Sequence, residues 1–238
     1  MILESLLISH DAALLGVLRP TLEKMSVSVE VCSSSETGND TLGKRKFDAI
    51  IVDCDDLQGG VAVLGSLRRA RSNRSSVAFA VLNGKTTTQE AFQVGANFVL
   101  QKPLTPLHAT RCFNAALSFM IRERRRYFRH PVEMQVRICI ANSPEVIATT
   151  TNLSEGGMAL RFTGKLPTDS EARLHFALPG SNTSLELQAK IAWADETGHA
   201  GMKFADVPQS SQYQLEKWLT DHLRIDMPGS LKGFVDLQ

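Results

Sequence analysis

The sequence predicts two domains of different class, an α/β half built on a parallel sheet and an all-β half closed by a helix. Three observations lead there. Up to residue 121, short apolar runs alternate with segments of helical spacing. From Val132 to Phe204, apolar and polar residues alternate in short runs separated by Gly, Pro, Asn and Ser. Between them, Arg122–Pro131 (RERRRYFRHP) places five arginines within eight residues, where a helical pattern gives way to a strand pattern.

In the first half, Leu3–Ile8, Val27–Val31, Ala49–Val52, Val77–Leu82 and Phe98–Leu100 read as strands. The helices between them are Ala12–Met25, where Leu14, Leu15, Leu18, Leu22 and Met25 share a face, then Ser35–Lys46, Val61–Ala70 and Thr87–Val94. Strands alternating with helices imply a sheet covered on both faces, the flavodoxin-like doubly wound arrangement, whose functional edge lies at the carboxyl ends of the strands. After Pro106 one helix of about 20 residues, about 30 Å long, can run into the arginines. Leu107, Cys112, Phe113, Ala116, Leu117 and Met120 fall on one of its faces.

In the second half, His130-Pro131 ends the helix. Val132–Ile140 then alternates strictly, with Val132, Met134, Val136, Ile138 and Ile140 on one face. Val146–Leu153, Met158–Phe162, Glu171–Leu178, Ser184–Trp193 and Ala200–Phe204 add strands for a small antiparallel barrel. Trp193 could flank a ligand, but it shares the parity of Leu185, Leu187, Ala189 and Ile191 and is assigned to the core with them. A helix at Ser210–His222 closes the barrel with Tyr213, Leu215, Trp218, Leu219 and His222. The expected division is residues 1–121, residues 122–225, and a loosely ordered tail, residues 226–238.

Composition narrows the function. A net charge of +1 lacks the broad basic field that a nucleic-acid polymer or a membrane surface requires, so the arginine cluster suits a small anion. The four cysteines have no Cys-x-x-Cys pair and read as buried, reduced thiols. The six histidines show no metal-ligand spacing, so no metal site and no catalytic constellation is expected. Met1–Leu7 carries Glu4 and no positive side chain, and no apolar run reaches membrane length, so the chain reads as cytoplasmic.

The first half resembles the receiver domain of two-component response regulators, through Asp53 at the end of AIIVD and Gly95-Ala96 followed by Lys102-Pro103. The resemblance implies a phosphoacceptor role for Asp53, aided by Lys102, with Mg²⁺ held by an acidic pair after the first strand, and a homodimer or docking contact through the helix at residues 107–121. That pair is Ser9-His10 here, with Asp11 next, and the fourth strand ends on Asn83 instead of a hydroxyl residue. A hydroxyl and an imidazole are poor ligands for a hard cation, so this half reads as a pseudo-receiver used for contact, with phosphorylation on Asp53 as the alternative.

The second half resembles the PilZ domain, a bacterial receptor for cyclic di-GMP. Arg125 and Arg129 supply its R-x-x-x-R element, Arg124 the preceding arginine, and Asn152, Ser154 and Gly157 its D/N-x-S-x-x-G element. Ile191-Ala192-Trp193 and Gly201-Met202-Lys203-Phe204 fit its strand pattern. The chemistry agrees, since guanidinium forks suit phosphate oxygens and guanine O6 and N7, and their flat faces stack on purines. Asn152 can accept from guanine, Ser154 adds a hydroxyl, and Gly156 and Gly157 let the chain turn and approach a base.

The expected ligand set is therefore Arg124, Arg125, Arg129, Asn152, Ser154, Gly156 and Gly157, with Arg122 and Arg126 solvated. The expected protein is a non-catalytic effector that needs no cofactor. Its ligand is clamped between the arginines and the Asn152–Gly157 turn, which reorients the receiver-like half toward a downstream protein. A protein–protein adaptor without ligand and a phosphorylation-driven regulator are the competing readings.

Overall fold

The computed structural model describes residues 3–70, 72–141, 143–181 and 184–226. The tail expected at 226–238 lies outside them, apart from its first residue. The chain forms two compact units that divide between Arg124 and Arg125, inside the arginine run.

The first unit holds five parallel strands: β1 (Leu3–Ile8), β2 (Val27–Cys32), β3 (Ala49–Asp53), β4 (Val77–Leu82) and β5 (Phe98–Gln101). Their order is β2-β1-β3-β4-β5. The helices are α1 (Ala12–Lys24), α2 (Ser35–Lys44), α3 (Gly60–Arg69), α4 (Thr88–Val94) and α5 (Pro106–Tyr127), the last continuing past the unit boundary. The two-residue period of the strands sorts the core. Leu3, Leu7, Ile51, Phe79 and Val81 pack with α1 and α5, while Leu6, Ile8, Ile50, Val52 and Ala80 pack with α2, α3 and α4. Strands buried on both faces explain the unbroken apolar runs of the sequence.

Capping fixes the helix starts. Asp11 accepts from the amides of Ala13 and Leu14 at α1, Ser34 caps α2, and Thr87 with Glu90 forms a reciprocal capping box at α4. On α5, Phe113, Ala116, Leu117 and Met120 are buried as expected, whereas Leu107 is exposed at the first turn. Cys32 and Cys54 are buried; Cys112 and Cys139 are half-buried, and all four thiols are free. Burial pushes the Cys112 thiol up to about 11, which keeps it protonated and unreactive near neutral pH.

The last turns of α5 in this unit end on buried charge. Glu123 bonds to Lys46 and accepts from Ser75 Oγ at 2.6 Å. It does not pair with Arg126 along the helix. Arg124 lies 3.5 Å from Glu4 and 3.6 Å from Asp48, which also accepts from the Glu4 amide. Burial raises the Asp48 carboxyl to about 6, with Arg124 opposing the shift.

The second unit contains β6 (His130–Pro131), β7 (Gln135–Cys139), β8 (Val146–Ser154), β9 (Gly157–Phe162), β10 (Glu171–Ala177), β11 (Ser184–Ala194), β12 (His199–Ala205) and α6 (Gln209–Asp226). The order β8-β7-β10-β11-β12-β9 closes on itself because β9 also pairs with β8, giving a six-stranded antiparallel barrel with β6 added on β8. Inward residues Val136, Ile138, Leu153, Leu160, Leu174, Leu187 and Ile191 meet Leu215, Trp218 and Leu219 of α6.

Three expectations are corrected here. Residues 132–134 are not strand, although Val132 and Met134 keep the alternation and pack against the barrel core. Tyr213 is exposed and does not close the barrel. Trp193 is 45% exposed, because a β-bulge in the β11–β12 ladder between Ile191 and Trp193 inserts Ala192 and turns the indole to the other face.

The raised carboxyl gives a pH prediction. Asp48 favours the fold when neutral, so its contribution is complete below about pH 4 and is lost as pH rises through about 6, by up to about 3 kcal/mol. Calorimetric unfolding of the first unit should show this slope in the wild type and a flatter profile in Asp48→Asn.

Candidate functional site

A cavity of about 410 Å³ opens on the second unit, lined by Arg126, Tyr127, Arg129, Ser154, Gly156, Gly157, Ala192, Trp193, Gly201, Met202 and Lys203. It lies over the place where β9 and β12 run side by side, with Gly157 opposite Lys203 and Gly201 opposite Ala159. Two bulges flank this ladder, one at Thr151 in β8 and one at Ala192 in β11. Bulges re-aim side chains and increase local twist, and the second is what delivers Trp193.

Each wall has a local cause. Ser154 is buried, and its hydroxyl donates to the Gly157 carbonyl at 3.0 Å, which clasps the β8–β9 turn. A side chain at Gly157 would place its first carbon 2.1 Å from the Met202 carbonyl oxygen, so β12 itself excludes one. Gly156 has open space, and neither glycine has a positive φ. The turn is a tight one, with only Glu155-Gly156 between the paired Ser154 and Gly157, and it does not need left-handed geometry. At Gly201, an added Cβ would meet the Trp193 indole nitrogen at 2.1 Å, so the ring occupies the space that only a glycine leaves there.

The expected ligand residues divide. Arg129, Ser154, Gly156 and Gly157 come together on the cavity. Arg124 does not line it and sits against Glu4 and Asp48 of the first unit. Arg125 does not line it either: its Nη1 donates to Thr220 Oγ1 at 2.8 Å, and its Nε is buried without a hydrogen-bond partner. Asn152 lies outside the lining set, on the β8 rung opposite Ala159, and its Oδ1 is buried and also unpartnered. Arg126, expected to be solvated, lines the cavity and approaches Glu155 at 3.7 Å.

Pattern reading missed Arg126, Tyr127, Trp193, Gly201 and Lys203. For Trp193 a signal existed in its large apolar ring beside Gly201 in the facing strand, but simple alternation concealed it.

The first unit carries a separate cluster at the carboxyl ends of β1 and β3. Asp11, Asp53 and Asp56 present oxygens within 4.8 Å of one another. Lys102 Nζ bonds to all three, at 2.8 Å, 3.0 Å and 2.7 Å. Burial opposes the lysine charge, yet hydrogen bonds to Asp11, Asp56 and Asp53 outweigh it and hold the ammonium above the usual lysine range. The same bond from Lys102 holds the Asp11 and Asp56 carboxyls below theirs.

Ser9 Oγ donates to Asp53 Oδ2 at 2.8 Å, and Asp53 Oδ1 is buried without a partner. Lys102 balances one of the three carboxylate charges, and Ser9-His10 adds no further carboxylate to the set.

Comparison with known proteins agrees with both halves. Residues 123–221 match the family model of the PilZ domain, and residues 6–111 match that of the response regulator receiver domain. No curated protein matches the chain. Among solved structures, chemotaxis response regulator CheY4 of Vibrio cholerae is similar at 19% identity, covering 48% of this chain and 98% of that one, with a TM-score of 0.45. The PilZ domain of CeSA from a cellulose synthesizing bacterium is similar at 22% identity, covering 40% and 98%, with a TM-score of 0.34. Among the described residues, no helix is long and apolar enough to cross a membrane.

The glycine contacts separate two roles. Gly157→Ala should lower barrel stability by about 2–4 kcal/mol in urea unfolding, the scale of an overpacked site. Gly156→Ala, facing open space, should stay within about 1 kcal/mol of wild type.

Proposed function

We propose that this chain, a response regulator receiver domain followed by a PilZ domain, is a cyclic di-GMP effector whose ligand enters the cavity of the second unit. The observation that supports this most directly is the coincidence on one cavity of Arg126, Arg129, the Ser154 hydroxyl and the exposed indole of Trp193. The guanidiniums suit two phosphodiesters and the Hoogsteen edge of guanine, and the indole offers a face for a purine. The unpartnered Asn152 Oδ1 is an acceptor of the kind a guanine N–H would satisfy. Binding draws Arg125 and Arg129 onto the barrel. Because the unit boundary falls within the same arginine run, the pull reorients the receiver unit and alters what it offers to a downstream protein.

Titration calorimetry on the full chain tests the ligand. Arg129→Ala and Ser154→Ala should each weaken binding at least tenfold, and Trp193→Ala by about ten- to hundredfold, the scale of a lost base stack. No heat from the wild type, or undiminished binding in the arginine and serine variants, refutes the reading.

The receiver unit acts in this reading as a contact domain and not as a phosphoacceptor, in line with the Lys102 ammonium among Asp11, Asp53 and Asp56. Incubation with acetyl phosphate or beryllofluoride and Mg²⁺ should leave Asp53 unmodified. Stoichiometric, Asp53-dependent modification would instead favour a phosphorylation-driven regulator.

A further inference from the structure

The arginine segment of the second unit is fastened to α6 at both ends. At its start, Arg125 Nη1 donates to Thr220 Oγ1 at 2.8 Å, while Thr220 donates onward to the Glu216 carbonyl at 2.7 Å. At its end, the His130 ring packs edge-on against Trp218 and His222, with centroids 5.4 Å and 5.0 Å apart. Trp218 is fixed in turn by its indole N–H to the Pro179 carbonyl at 2.8 Å. Thr220 is 7% exposed, so its hydroxyl bonds in a site largely closed to water.

This attachment conflicts with the chemistry Arg125 would have to perform. Its Nε is buried and unpartnered, and Thr220 satisfies only part of a fork that can make five hydrogen bonds. A buried, unsatisfied guanidinium N–H costs free energy until an acceptor arrives. The Arg125 contact with α6 is thus an incomplete one, able to hold the side chain and also to release it.

We infer that Thr220 is a positioning residue for the ligand site, holding Arg125 on α6 and off the cavity in the ligand-free chain. Ligand must then take Arg125 from Thr220, and α6 registers the exchange. The inference rests on the cyclic di-GMP reading and adds that α6 regulates its affinity.

The test is calorimetry of the full chain with cyclic di-GMP. Thr220→Val keeps the shape and removes the hydroxyl, so binding should tighten by about three- to tenfold, as expected for losing one competing hydrogen bond. Thr220→Ser, which restores the hydroxyl, should bind like wild type. In an Arg125→Ala background, Thr220→Val should change nothing, because the pair is then already broken. Mere damage to α6 would weaken binding, the opposite sign. Circular dichroism confirms that each variant is folded, and Thr220→Ala replaces the valine variant should that one fail to fold.

Unchanged or weaker binding by a folded Thr220 variant that lacks the hydroxyl overturns the inference and leaves the ligand reading standing. Tightening that persists in the Arg125→Ala background overturns it too. No heat from the wild type removes the ligand reading itself and this inference with it.

Discussion

The second unit depends on the approach of two backbones, β9 and β12, at Gly157 and Met202. With only a hydrogen on Gly157, the strand lies against the Met202 carbonyl, and β9 can pair with β12 on one side and β8 on the other. That double pairing closes the ring of six strands and leaves no edge between β8 and β12. The cavity is a by-product of the same closeness. Where the ladder carries glycines, there is little side chain to fill the space above it, and Arg129, Trp193 and Ser154 stand around the gap.

The fold was largely legible because it rests on periods. The unbroken runs AIIVD and VAFAVL could only be strands buried on two faces, and the odd and even residues of each do go to opposite cores. Barrel strands were equally readable from alternation. What alternation could not show is a single inserted residue. One bulge at Ala192 moves Trp193 from the core to the cavity, and strict alternation gives no sign of it.

The site was harder to read, because an arginine's role depends on which acid lies nearby in space. Arg124, Arg125 and Arg126 are neighbours in sequence with three different attachments: Glu4 and Asp48, Thr220, and Glu155. Their partners come from widely separated stretches of the chain. Spacing within a motif identifies arginines but cannot allot them. The Lys102 cluster shows the same limit. Asp56, three residues after Asp53, becomes meaningful only when the fifth strand brings the lysine to it.

That lysine has a consequence beyond its own site. A counter-ion attached to the chain is present at a concentration fixed by the fold and cannot be diluted, chelated or exchanged. A domain that borrows a metal for charge balance reports on the supply of that metal. With Lys102 among Asp11, Asp53 and Asp56, the first unit carries one balancing charge of its own against three carboxylates. That one charge stays at the strand ends whatever the supply of ions around the chain.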